Sequence, residues 1–347
     1  MDNRRICYLD FLRVTAIFFV VIIHVTSVGL HTYDVFSGPW LMNSLLNSIS
    51  RWAVPVFFMI SGSLFLSPEK ELSIKKLYKN NILHIVICII VWGSFYSLLD
   101  QYIYNTLSIK SILIAVYGII TGTSGYHLWF LYTLTMLYIA IPLFRLITAH
   151  ATKQQLEYGL LIWFIFSLLI SQINAFAEDL GITSELLPYS AFIISGYGGY
   201  FLLGYYLSIY PIRKKAKRWL YAAGILSLLI IIMGKLLFKT VLHQDLTALE
   251  APLGVFSCLL ATSIFTIAQN MHFTNTCESV FVFCGQHTFG IYLTHVFFIS
   301  LLYHIIGIAP NYCAPLLSII LSSIGIFAVS LLTSLIMSKI PLLRNLV

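Results

Sequence analysis

Apolar residues fall in blocks of about twenty along this chain, separated by short polar gaps, and about 20 apolar residues are what a helix needs to cross a bilayer core. The blocks lie near 8–30, 43–66, 81–101, 127–147, 156–176, 189–209, 218–238, 250–270, 286–307 and 314–337. The pattern predicts an all-α integral membrane protein, a bundle of about ten transmembrane helices. A further apolar stretch at 109–120 is too short to cross alone. It reads as a re-entrant or interfacial helix, or as part of an extra span. No Gly/Ser-rich, Pro-rich or acidic run suggests a linker, so residues 1–347 read as one domain.

The polar gaps differ in charge. Arg4, Arg5, Lys70, Lys75, Lys76, Lys79, Lys153, Arg213, Lys214, Lys215, Lys217, Arg218, Lys339 and Arg344 fall in alternate gaps and at the two ends. Lys and Arg concentrate on the cytoplasmic side of membrane proteins, which places both the N- and the C-terminus in the cytoplasm. Lys235 and Lys239 depart from the alternation and are expected to snorkel at an outer helix end. Composition agrees: 59% of residues are hydrophobic and 10% charged, with a mean hydropathy of +0.90. A soluble chain carries about 25% charged residues, so this one cannot coat a water-facing surface. Topology then explains the net charge of +7 better than nucleic acid does. The six cysteines form no CxxC pair and predict neither a metal site nor a disulfide. Arg4 and Arg5 before an apolar stretch resemble a signal peptide, but no small-residue cleavage site follows, so the stretch reads as a retained first span.

Ionisable residues inside membrane helices are costly and are functional candidates by default. Arg13 and His24 lie in the first block. Eleven positions apart, they fall about 20° apart around a helix and roughly 16 Å apart along it. Asp10 is three residues before Arg13 and placed to pair with it. Bland readings stand beside these: a snorkelling anchor for Arg13, a hydrogen-bonded bundle histidine for His24. In the second block, Asn43, Asn47, Ser50 and Arg51 form one polar helical stripe. Opposite helix directions give Arg51 roughly the depth of His24, and the two are expected to face one buried cavity. An Arg there needs a carboxylate, carbonyls or water. Pro55 is expected to kink the helix below it, while Ser61 and Gly62 permit close packing. Gly196-Tyr197-Gly198-Gly199 also reads as helix packing. His127, Trp129 and His295 stand at or within apolar blocks. No GxSxG, HExxH, Walker A or GxGxxG context appears.

Tyr8-Leu9-Asp10-Phe11-Leu12-Arg13 followed by His24 resembles the first-helix signature of the membrane acyltransferase-3 family. The run from Ser50 to Gly62 resembles its second-helix motif, and His127-Leu128-Trp129-Phe130 and Gly290-Ile291-Tyr292-Leu293-Thr294-His295 follow in the family's order. The resemblance implies an O-acyltransferase that moves an acetyl or other short acyl group from cytoplasmic acyl-CoA to a hydroxyl of a cell-surface glycan or its lipid-linked precursor. It implies His24 as the catalytic histidine and Arg13 as its partner in the donor path. Arg51 is expected to stabilise the oxyanion. Lys75, Lys76 and Lys79 fall where relatives carry an Arg-rich cytoplasmic loop and would attract the donor's phosphates as point charges. Asp10, Asn47, Ser50, His127, Trp129, Tyr292 and His295 are expected to support the site or the acceptor. No metal and no permanently bound cofactor is expected. Acetyl-CoA is the expected co-substrate, with a glycan or lipid-linked sugar and membrane lipid as partners, in a bacterial cytoplasmic (inner) membrane. Direct transfer and an acyl-histidine relay both remain open. The alternative is an exporter of a surface polysaccharide or lipid-linked glycan, which intramembrane Arg and His residues also suit.

Overall fold

The structure is a computed structural model that describes residues 7–108, 110–182, 196–244, 246–307 and 314–347. Arg4, Arg5, Glu185, Cys313 and the 189–195 part of the sixth expected span lie outside the described residues. The helices are α1 (Cys7–Thr32), α2 (Gly38–Ile49), α3 (Ala53–Phe65), α4 (Ile74–Ile103), α5 (Ser111–Thr121), α6 (Trp129–His150) and α7 (Lys153–Asp179). They continue with α8 (Gly196–Ile209), α9 (Lys214–Leu242), α10 (Val255–Gln269), α11 (Asn275–Gln286), α12 (Thr288–Ile305) and α13 (Pro315–Lys339). Among the described residues, nine helical segments are long and apolar enough to cross a membrane. The protein is a multi-pass, all-helical membrane protein. The expected span at 189–209 is represented by α8, and the short 109–120 stretch is the separate helix α5.

Contacts divide the chain into two compact units, each assembled from two stretches of sequence. The first contains residues 1–69 and 144–285, the second residues 70–143 and 286–347. The boundary falls inside α6, between Leu143 and Phe144.

In the first unit, α3 and α8 touch backbone to backbone. A Cβ on Gly62 would run into the Phe201 carbonyl, and one on Gly204 into the Met59 carbonyl. Ser63 Oγ donates to the Gly204 carbonyl at 2.8 Å and to the Met59 carbonyl at 2.9 Å. Small residues let membrane helices approach this closely, and hydroxyls then bond across them. Gly62 packs as the sequence suggested, and the hydroxyl making the cross-helix bond is that of Ser63. The end of α3 is held by α6. Arg145 Nη1 donates to the Phe65 carbonyl at 3.1 Å and Thr148 Oγ1 to the Leu66 carbonyl at 2.7 Å, satisfying carbonyls that a helix end leaves without partners.

In the second unit, α4 packs on α5 and α12 on α13. The C-terminal turn Arg344–Leu346 is pinned to α4 by Trp92 Nε1, which donates to the Leu346 carbonyl at 2.9 Å.

Candidate functional site

α1 is one unbroken helix from Cys7 to Thr32, so Arg13 and His24 lie on one face, as their spacing requires. Arg13 Nη1 donates to Asp10 Oδ1 at 3.0 Å. Asp10 is 1% exposed and the Arg13 side chain 27%. The buried carboxylate therefore fixes one end of a guanidinium that remains partly open. His24 is half-buried.

The second span is not continuous. α2 ends at Ile49 and α3 begins at Ala53. Across the break the bonds tighten to three-residue spacing: the amides of Ser50, Arg51 and Ala53 donate to the carbonyls of Asn47, Ser48 and Ser50 at 3.1, 3.4 and 3.1 Å. Pro55 causes this. It has no N–H for the carbonyl four residues back, which is that of Arg51, and its ring crowds that carbonyl. The break therefore falls at Arg51 itself, a full turn before the proline.

The break aims Arg51 at an acid that the apolar pattern does not single out. Arg51 Nη2 donates to Glu250 Oε2 at 2.7 Å and also to Asn47 Oδ1. Glu250 Oε1 accepts from Lys235 Nζ at 2.5 Å and from Ser48 Oγ at 3.1 Å. The side chains of Arg51, Glu250 and Lys235 are 22%, 12% and 12% exposed. Lys235 therefore pairs inside the protein and does not snorkel to an outer surface. The expectation failed because Glu250 is fifteen residues away, at the start of another apolar block. A lone acid opening an apolar block was the signal available in the sequence.

Glu250 is itself held firmly. It ends the short 3₁₀ turn Ala248–Glu250 that precedes α10. Asp179, the last residue of α7, accepts from Thr247 Oγ1 and from the Ala248 amide, both at 2.8 Å. Gln172 donates to the Ala248 carbonyl and accepts from the Val255 amide at 3.1 Å.

The stripe does run along one face, with Asn43, Asn47 and Ser50 all buried. Asn47 Nδ2 reaches α1, donating to Thr26 Oγ1 at 2.9 Å and to the Ile23 carbonyl at 3.2 Å. Asn43 packs against Gly29. Ser50 Oγ turns back to the Leu46 carbonyl at 2.6 Å. The Trp52 ring lies 5.0 Å from that of Phe19. These contacts fix which side of α1 meets α2 and α3. Thr26 is about 160° around the helix from His24, and Gly29 and Phe19 are each about 140° from it. Asn47, Asn43 and Trp52 therefore meet α1 on the side turned away from His24.

The remaining motif residues lie in the second unit. His127 and His295 are buried, with ring centroids 5.5 Å apart. Tyr96 stacks edge-on to His127 at 4.7 Å, and Tyr292 Oη donates to the His127 carbonyl at 2.6 Å. Tyr96 Oη donates to the Leu293 carbonyl at 2.6 Å and accepts from the Phe297 amide at 3.2 Å. His295 Nδ1 faces the carbonyls of Tyr292 at 2.7 Å and Ile291 at 3.2 Å. Carbonyls only accept, so Nδ1 carries the proton. Trp129 opens α6, half-buried, beside Phe130. This cluster ties α4, the start of α6 and α12 together.

Lys75, Lys76 and Lys79 are not in a loop. They occupy the exposed first turns of α4, capped by Ser73, where the helix widens to π geometry at Leu77–Ile82. Lys75, Tyr78 and Lys79 head an open groove of about 430 Å³ whose other walls are Ile82, Leu83 and Val86.

The fold is that of a multi-pass helical membrane protein that carries an arginine and a histidine on one face of an intact helix. The chain belongs to the acyltransferase-3 family: the model of its acyltransferase domain matches residues 6–338, nearly the whole sequence. It is therefore a membrane acyltransferase, which implies an acyl donor and an acceptor. Neither a curated protein nor a solved structure matches the chain.

Proposed function

We propose that the protein is an O-acyltransferase of a bacterial inner membrane, with both termini in the cytoplasm. It moves an acetyl or other short acyl group from cytoplasmic acyl-CoA to a hydroxyl of a surface glycan or its lipid-linked precursor. The observation that carries this reading is the Arg13–His24 face of α1. It presents one imidazole and one cation about 16 Å apart along an unbroken helix, a span suited to an extended acyl-pantetheine arm. Arg13, anchored by Asp10, keeps donors exposed for the donor's polar end. Lys75 and Lys79 lend long-range attraction for its phosphates. His24 acts as general base on the acceptor hydroxyl, or takes the acyl group and passes it on. The test uses purified protein in proteoliposomes with labelled acetyl-CoA and extracted surface glycan. Wild type transfers label to glycan and His24→Ala does not. Transfer by His24→Ala at the wild-type rate would remove the histidine from the mechanism.

A further inference from the structure

We propose that Glu250 is a positioning residue for His24, acting through Arg51 and Asn47; this rests on the reading of His24 as the reacting residue. The chain of bonds has a fixed direction. The guanidinium of Arg51 only donates, so the Asn47 oxygen must face it, and the Asn47 amide nitrogen must face α1. There it meets two acceptors, Thr26 Oγ1 at 2.9 Å and the Ile23 carbonyl at 3.2 Å. The Ile23 carbonyl belongs to the peptide unit that leads into His24. Asn47 therefore grips the backbone at the reacting residue, from the opposite side of the helix. Thr26 adds a second hold one turn on, since its hydroxyl also donates to the Ile22 carbonyl at 2.6 Å.

The carboxylate is what keeps this chain taut. Glu250 holds Arg51 at 2.7 Å and is fixed in turn by the Asp179 and Gln172 contacts around the 3₁₀ turn. Arg51 stands at a helix break, where the backbone alone does not fix its direction. Without the negative charge the guanidinium loses its reason to point at Asn47, and the Asn47 amide is free to rotate away from the Ile23 carbonyl. α1 can then turn or slide by a fraction of a helical step, and His24 moves with it.

Two variants test this. Glu250→Gln keeps the size and an oxygen acceptor but loses the charge. Glu250→Gln/Lys235→Met removes acid and amine together, leaving no uncompensated lysine, and so protects against simple misfolding. In the proteoliposome assay both should lose about 10- to 100-fold in kcat, the scale expected of a misplacement near 1 Å. KM for acetyl-CoA should stay within about twofold, since ground-state donor binding is not touched. A merely structural role would lower the yield of folded protein without this split. Wild-type kcat in either variant, alongside an inactive His24→Ala, would overturn the inference and leave the proposed function standing. An active His24→Ala would remove the proposed function and this inference together.

Discussion

Glu250 bridges two cations, and this makes the network's stability asymmetric. Glu250→Ala leaves Arg51 and Lys235 facing each other with their carboxylate gone, each less than a quarter exposed. Removing one partner of a buried ion pair costs about 3–5 kcal/mol, because the charge left behind is uncompensated. Arg51→Met is milder. Glu250 keeps Lys235 at 2.5 Å and Ser48 at 3.1 Å, so no bare carboxylate remains. What is lost is the charge-assisted bonding of one guanidinium, about 1.5–3 kcal/mol. Part of that returns, because Arg51 Nε is buried without an acceptor among the described residues and its removal relieves a desolvation cost. Glu250→Ala should therefore be the more destabilising by about 1.5–2 kcal/mol, the difference of those two ranges. The assay is thermal unfolding of detergent-purified variants by tryptophan fluorescence. One scan rate is needed throughout, since such transitions are commonly irreversible. An Arg51→Met protein melting at or below Glu250→Ala would refute the bridging account.

Other outcomes follow from separate parts of the molecule. Gly204→Ala should drive α3 and α8 apart, because the new methyl meets the Met59 carbonyl. Overpacking of this kind costs about 1–3 kcal/mol and should show as a lower melting temperature, whereas Gly325→Ala, which meets nothing within 4 Å, should not lower it. Lys75→Gln/Lys79→Gln should raise KM for acetyl-CoA, and donor affinity should become less sensitive to salt than in the wild type, because screening acts on exposed charges. Unchanged affinity and salt dependence with normal insertion would make these lysines topology signals only.

Much of the fold is legible in the sequence because span length is a strong constraint. The apolar blocks locate the helices, and the eleven-residue spacing by itself puts Arg13 and His24 on one face. Pro55 announces a disturbance, but the break lies a turn away from it, since a proline disrupts the carbonyl four residues earlier. The stripe from Asn43 to Arg51 is visible; its partners are not. Glu250 and Lys235 come from other helices, and no local periodicity tells which helices meet. The rotation of α1 is hidden for the same reason. Asn47 and Asn43 select the Thr26–Gly29 side of α1 as the one that meets α2. Lys75 and Lys79 look like loop residues when charges are read as gaps between spans, whereas Ser73 caps the helix ahead of them.

Acyl transfer through His24 to a surface glycan is the proposed activity. It is tested most directly by mass spectrometry of surface glycans from cells lacking the protein, complemented with wild type or with His24→Ala present at equal amount in the membrane. An acyl-sized mass increment is expected with wild type alone. Glycans that carry the same modification in all three, or that keep their modification while the polymer disappears from the surface, would contradict it.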